Sequence, residues 1–173
     1  YEITKIDPWF LNHIQRLSLM TDDDSIRKLK ENGFSDSQIA RYRNQSENSI
    51  REERIKKKIL PSYKVVDTCA AEFVAQTPYC YSTYDQENEI EPLEGKKGII
   101  LGGGPNRIGH GMAGDYCCVQ AGFGLKEEGY KTIMINCNPE TVSTDFDLVD
   151  RLYIEPVTFE DVLNIVEFEK PDG

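Results

Sequence analysis

Gly98-Ile-Ile-Leu-Gly-Gly-Gly-Pro-Asn-Arg-Ile-Gly-His-Gly111 and, one helical length later, Thr132-Ile-Met-Ile-Asn-Cys-Asn-Pro-Glu-Thr-Val-Ser-Thr-Asp145 decide the fold. A short apolar run breaks into three glycines, and a second apolar run breaks into a polar loop. This is the punctuation of a β-α-β unit, whose parallel strands leave both loops at one end of the sheet. Ligands of open α/β sheets sit at that end. The strands read as Ile99–Leu101 and Lys131–Asn136, and the helix as Met112–Glu128, stopped by Gly129.

Downstream, Leu152-Tyr-Ile154 reads as a third strand. Thr158 caps a helix carrying Val162, Leu163, Ile165 and Val166, with Asp161 placed to complete a capping box. Lys170-Pro-Asp-Gly173 then leads toward another strand. Three strands ending there would leave an apolar edge open, which points to a piece of a longer protein.

The first third is helical in pattern. Asp7-Pro8 is a helix start, because proline at the first position gives up only an N–H that had no partner. Trp9, Phe10, Ile14 and Leu17 share one face of that helix. Asp22, Asp23 and Asp24 precede a second helix bearing Ile26 and Leu29 and stopped by Gly33, their charges suited to its N-terminus. Ser35-Asp-Ser-Gln38 is a capping box opening a third, and Ser46 or Asn48 opens a basic fourth that ends before Pro61. Tyr63–Thr68 and Tyr79–Tyr84 read as extended segments crossing between units, and Asp85–Gly95 as an exposed acidic linker.

Composition narrows the chemistry. Residues 1–60 carry 12 basic and 10 acidic side chains and the rest 8 and 20, so two units with different surfaces follow and the second repels nucleic acid. No run of about 18 apolar residues is present to span a membrane. Five cysteines without paired spacing, with His13 and His110 far apart, read as reduced thiols rather than a zinc site or disulfide frame. That usage suits a cytoplasmic protein.

The glycine loop admits two readings: a tight turn that lets a helix pack close, or an anion site at a helix N-terminus. Two nucleotide motifs fail on residues. A dinucleotide fingerprint from Gly102 needs glycine where Arg107 stands, and an acid where the second strand ends in Asn136. A Walker loop from Gly104 reaches Gly109 but then meets His110 and Gly111 instead of lysine and a hydroxyl. What remains is Arg107, whose guanidinium suits a small oxyanion, facing a loop of Asn138, Glu140, Thr141, Ser143, Thr144 and Asp145.

These residues resemble a known family. Gly102–Gly109, Asp115-Tyr-Cys-Cys118, Asn136–Asp145 and Glu155-Pro156 closely resemble the large chain of carbamoyl phosphate synthetase, at the start of its second synthetase half. Ile6-Asp-Pro-Trp-Phe-Leu11, Gly33-Phe-Ser-Asp36, Asp67–Phe73 and Tyr81-Ser-Thr-Tyr84 resemble the oligomerisation domain before that half. The resemblance implies an α/β chain: a helical oligomerisation domain with connecting segments over 1–84, a linker over 85–95, and a Rossmann-like pre-ATP-grasp domain over 96–173, cut at its C-terminus. It also implies a ligase that makes carbamoyl phosphate from bicarbonate, glutamine-derived ammonia and two ATP, for pyrimidine and arginine synthesis. The implied partners are the remainder of the synthetase chain, a glutamine amidotransferase subunit or domain, and further copies in a homo-oligomer. ATP and Mg2+ (or Mn2+) belong to an ATP-grasp domain absent from this stretch, so no cofactor, metal ligand or catalytic residue is expected here.

By the same resemblance, Arg107 and Glu140 line a conduit for carbamate. The anion-contacting set becomes Gly102, Gly103, Gly104, Asn106, Arg107, Gly109, Asn138, Glu140 and Thr141. Two departures stand out. His110-Gly-Met-Ala-Gly-Asp115 replaces Gln-Gly-Ile-Glu-Phe-Asp, so Ala113 lacks a carboxylate and Gly114 an aromatic wall. The spacer between Leu17 and Ile26 is also shorter than the family pattern. Two alternatives stay open: a nucleic-acid module, because residues 35–54 have helix-turn-helix spacing beside Lys56-Lys-Lys58, and a free-standing nucleotide-binding domain on the glycine loop.

Overall fold

A computed structural model describes residues 1–21, 25–85, 87–104 and 111–173, with the side chains of Gly111 and Met112 left aside. The chain divides into two compact units, Tyr1–Leu60 and Pro61–Gly173.

Among the described residues the first unit has four helices: α1 Pro8–Ser18, α2 Ile26–Glu31, α3 Asp36–Arg43 and α4 Glu47–Lys56. Their starts follow the capping chemistry. Asp7 accepts from the Trp9 N–H ahead of Pro8, Ser35 and Gln38 form a reciprocal capping box, and Ser46 accepts from the Ser49 N–H. Helix α2 is capped by Ser25; the aspartates expected before it, Asp22–Asp24, lie outside the described residues. Helices this short persist only through packing. Ile26, Leu29, Ile39, Ala40, Ile50 and Ile59 are buried to that end.

One ion cluster sits among them. Arg54 donates from Nε and Nη2 to the Asp36 carboxylate, at 2.8 Å for the shortest bond, and Lys30 Nζ lies 3.3 Å from Asp36 Oδ1. All three side chains are buried. Helix α1 differs: none of its residues is buried, and Trp9, Phe10 and Ile14 are each more than half exposed.

The second unit is a five-stranded sheet with helices α5 Gly111–Glu127 and α6 Phe159–Glu169. Its strands are β1 Ser62–Val65, β2 Tyr79–Thr83, β3 Lys97–Leu101, β4 Lys131–Asn136 and β5 Arg151–Ile154, in spatial order β1-β2-β5-β4-β3. Strands β1 and β2 pair antiparallel; β2-β5, β5-β4 and β4-β3 are parallel. Interior β4 is buried on both faces, as parallel strands between helices must be. Ile133 and Ile135 join Tyr63, Cys80, Tyr153 and Ile165 on one side, with Val162 and Phe168 of α6 against them. Met134 joins Ile100, Leu148, Val149 and Leu152 on the other, with Cys118, Val119 and Leu125 of α5.

Three expectations change. Residues 62–84 do not go with the helical unit but supply β1 and β2, whose pairing covers the edge of β5. The acidic stretch expected as an exposed linker is exposed at most of its described residues, but it is also tied to the sheet. Asn88 Oδ1 accepts from the Tyr63 N–H at 2.7 Å, the Glu89 N–H donates to the Tyr63 carbonyl, and Ile90 and Leu93 rest on the core. The Asn88 and Glu89 side chains, with the Glu89 N–H, thus satisfy the outer edge of β1. Finally, Thr158 caps α6 through the Asp161 N–H, but the Asp161 carboxylate meets the Thr158 hydroxyl rather than its backbone, so the box is half made. At the other edge, Asp172 and Gly173 exchange backbone hydrogen bonds with Lys97 and Ile99 of β3.

Candidate functional site

The β3–α5 and β4–β5 loops leave the sheet side by side. Leu101 is in register with Ile135, and the Gly102 N–H extends the ladder by donating to the Ile135 carbonyl at 2.8 Å. Gly102 is buried, Gly103 exposed and Gly104 buried, with φ +65° at Gly104. A left-handed φ there favours glycine over any residue with a Cβ. The β5–α6 connection comes close too: a Cβ on Gly104 would lie 3.9 Å from Val157.

The second loop is built from side-chain-to-backbone bonds. Asn136 Oδ1 accepts from the Asn138 N–H at 3.3 Å, and Asn138 Oδ1 accepts from the Glu140 N–H at 3.0 Å. Each is an Asx turn, in which a short amide replaces a backbone carbonyl. Thr141 and Thr144 then brace each other around the one-turn 3-10 helix Val142–Thr144, with the Thr144 hydroxyl donating to the Thr141 carbonyl at 2.7 Å. Asn138 and Glu140 are exposed, and Thr141 is half-buried.

Beneath the loop runs a buried polar chain. Asn136 Nδ2 donates to Ser143 Oγ at 3.2 Å, and Ser143 Oγ donates to Asp115 Oδ1 of α5 at 3.0 Å. All three residues are at most 3% exposed, so the chain is screened from water. Next to it the Cys118 thiol donates to the Leu101 carbonyl at 3.7 Å. Burial, then the Asp115 charge and Cys117, push that thiol above its ordinary range.

Among the expected site residues, then, Gly102, Gly103 and Gly104 stand beside the loop bearing Asn138, Glu140 and Thr141. Asn106, Arg107 and Gly109 lie outside the described residues, and with them the pairing of Arg107 with Glu140. Asp115, Asn136 and Ser143 were not in the expected set as supports. The available signal was an aspartate as the one charged residue between positions 111 and 125, and an asparagine ending an apolar strand. Among the described residues no group of three or more His, Cys, Asp or Glu is gathered to hold a metal ion. No helix there is long and apolar enough to cross a membrane.

Two family models match the chain: the carbamoyl-phosphate synthetase large chain oligomerisation domain over residues 1–58, and the carbamoyl phosphate synthase preATP-grasp domain over 94–173. Curated relatives named carbamoyl phosphate synthase large chain include those of Archaeoglobus fulgidus, 53% identical over 188 aligned residues, and Neisseria meningitidis serogroup B, 54% over 184. The Arabidopsis thaliana relative, named as an arginine-specific, chloroplastic large chain, is 52% identical over 185. Each alignment covers all of this chain but only 16–18% of the relative, so the chain spans about one sixth of their length. Each is also longer than the 173 residues here, so the relatives carry residues this chain lacks. By these matches residues 1–58 belong to the oligomerisation-domain family, and residues 94–173 to the preATP-grasp-domain family, of the carbamoyl phosphate synthase large chain.

Proposed function

We propose that the chain serves a glutamine-dependent carbamoyl phosphate synthetase in two ways: its α/β unit forms part of a carbamate conduit wall, and its helical unit supplies oligomer contacts. The observation that carries the first role is the adjacency of the glycine loop and the Asn138–Thr141 loop at the carboxyl ends of β3 and β4. Two adjacent loops at the carboxyl ends of parallel strands can wall a path for a small, unstable oxyanion that must pass without meeting bulk water. Arg107, from the sequence, adds the guanidinium. The anion-contacting set of this proposal is Gly102, Gly103, Gly104, Asn106, Arg107, Gly109, Asn138, Glu140 and Thr141.

The exposed Trp9-Phe10-Ile14 face of α1 supports the second role, since a contiguous apolar helix face is buried in an assembly or costs solubility. Nucleic-acid binding is less well supported, because α4 turns Arg51 and Arg54 inward and Arg54 is spent on Asp36. The ligase chemistry, with ATP, Mg2+ and an amidotransferase partner, belongs in this proposal to other parts of the enzyme.

Amide NMR of the 173-residue chain tests the conduit role. Bicarbonate and acetyl phosphate, the latter a stable acyl phosphate, should shift the Gly102–Gly104, Glu140 and Thr141 resonances, with NAD and ATP causing no comparable change. Micromolar affinity for NAD or ATP, or carbamate-dependent ATP turnover by this chain, would overturn the assignment. Sedimentation over a concentration series tests the second role, and a strict monomer to about 100 µM, well above ordinary dimer affinities, would count against it.

A further inference from the structure

We propose that Asp115 is a positioning residue for the Asn138–Glu140 loop, acting through Ser143 and Asn136 to fix which way the Asn136 amide faces. The proposal rests on reading that loop as a wall of the anion passage, and it names what holds the wall in place.

The chemistry is a matter of donors and acceptors. An ionised carboxylate only accepts, so Asp115 commits the Ser143 hydroxyl hydrogen to itself. The Ser143 oxygen is left to accept, and it takes an N–H from Asn136 Nδ2. That orients the amide: Nδ2 faces Ser143, and Oδ1 is turned toward the Asn138 N–H, which it accepts at 3.3 Å. Asn138 repeats the turn for Glu140 at 3.0 Å. One buried acceptor on α5 thus sets the direction of three linked hydrogen bonds and ends at the Asn138 backbone, whose own side chain makes the next turn to the exposed Glu140. Burial of Asp115, Ser143 and Asn136 leaves no water to rescue a reversed chain.

Asp115→Asn keeps the shape but can donate to Ser143. The serine hydroxyl is then free to donate to Asn136 Oδ1, and the flipped amide points Nδ2 at the Asn138 N–H, donor against donor. Ser143→Ala removes the link outright. Solvent-exchange NMR on the 173-residue chain should show the Asn138 amide exchanging about tenfold faster in each variant, the equivalent of one hydrogen bond, with Glu140 following. The Asn136 side-chain amide signals should move with it, while the Ile133 and Ile135 strand amides stay within about twofold of the parent. A purely structural role predicts the opposite pattern: loop amides unchanged, or all amides rising together through global unfolding. Either result overturns the proposal, and if Asp115→Asn does not fold, Ser143→Ala decides it. No anion is present in this measurement, so its failure is separate from failure of the anion titration: a released loop in a chain that binds no bicarbonate keeps the relay and discards the conduit.

Discussion

The Asn136 side chain occupies the space that a Cβ on Gly102 would need: that atom would lie 2.5 Å from Asn136 Cγ and 2.6 Å from Nδ2. Glycine is required there because of a neighbour on the next strand, not because of its own φ. The contact locks the first loop to the second through the same amide that Ser143 holds.

Gly102→Ala is therefore expected to be costly. The obstructing group is not a loose end, because Asn136 is tied to Ser143 and to the Asn138 N–H. Overpacking plus a broken buried hydrogen bond should lower stability by about 2–4 kcal/mol. Gly98→Ala is the comparison. The atoms nearest its Cβ would be those of the Leu125 side chain, from 2.8 Å, which can rotate, so about 1 kcal/mol is expected. Urea denaturation of both variants checks the order; equal losses would mean that Asn136 gives way freely.

Gly114 behaves differently. Among the described residues a Cβ there meets nothing within 4 Å, its φ is not left-handed, and it lies inside α5. Gly114→Ala should stabilise the chain by about 0.5–1 kcal/mol through reduced freedom of the unfolded state. A thermal melt reads the gain directly, and a loss would show that the first turns of α5 are more crowded than their geometry.

Legibility followed the range of the interactions involved. Helix starts at Asp7, Ser35, Ser46 and Thr158 could be read because a cap is settled within three residues. Strand β4 was bounded correctly at Lys131–Asn136 since its apolar run breaks into a polar loop at once. The role of residues 62–95 was not legible. Whether Tyr79–Thr83 bridges two units or adds a strand beside β5 depends on residues more than 70 positions away, and local pattern is the same in both cases. The glycine loop and its neighbour were found as a pair, but the buried Asp115–Ser143–Asn136 chain was not, because each member is an ordinary polar residue until the fold brings it to the others.

The Asp36–Arg54 pair offers a test in the helical unit. Arg54 is fully buried and spends its fork on one carboxylate. Removing one partner strands a buried charge, so Asp36→Ala should cost about 3–5 kcal/mol. Asp36 lies in the first turn of α3, so an independent helix-end contribution of a few tenths of a kcal/mol is lost too. Circular dichroism should show the helical signal melting early in this variant. Replacing Arg27 or Glu31, an exposed pair 3.9 Å apart on α2, should change the melt by less than about 0.5 kcal/mol.

Thiol reactivity should split by burial. Desolvation raises Cys80 to about 11, with Arg151 pulling it down and Glu169 pushing it up, and only 2% of the residue is exposed. Cys117 is exposed on α5. Iodoacetamide at pH 8 should label Cys117 in the native chain and spare Cys80 until denaturant is added, because the thiolate is the nucleophile. Mass spectrometry of native digests checks this. Comparable labelling of the two would mean that β2 opens readily.

Glu155 gives a pH dependence of definite sign. It is buried, and that burial raises its carboxyl above the ordinary value; hydrogen bonds from Ser82 lower it in part, and the Asp161 charge raises it further. A carboxyl raised in the fold binds its proton more tightly folded than unfolded. Its contribution is therefore fully present below the unfolded carboxylate range and is lost as pH rises through the raised folded value. Asp150 runs the other way. Burial raises it, but the Thr132 N–H and the Lys131 and Thr132 side chains together hold it below the ordinary value, so its contribution is present at neutral pH and lost in acid. Glu155→Gln keeps an acceptor for the Ser82 N–H and removes the buried charge. Relative to the parent, this variant should gain stability from pH 4 to pH 8, and the gain should fade toward acid. Denaturation midpoints across that range measure it; a gap that is flat, or that widens toward acid, would show that Glu155 is ionised at no cost within the fold.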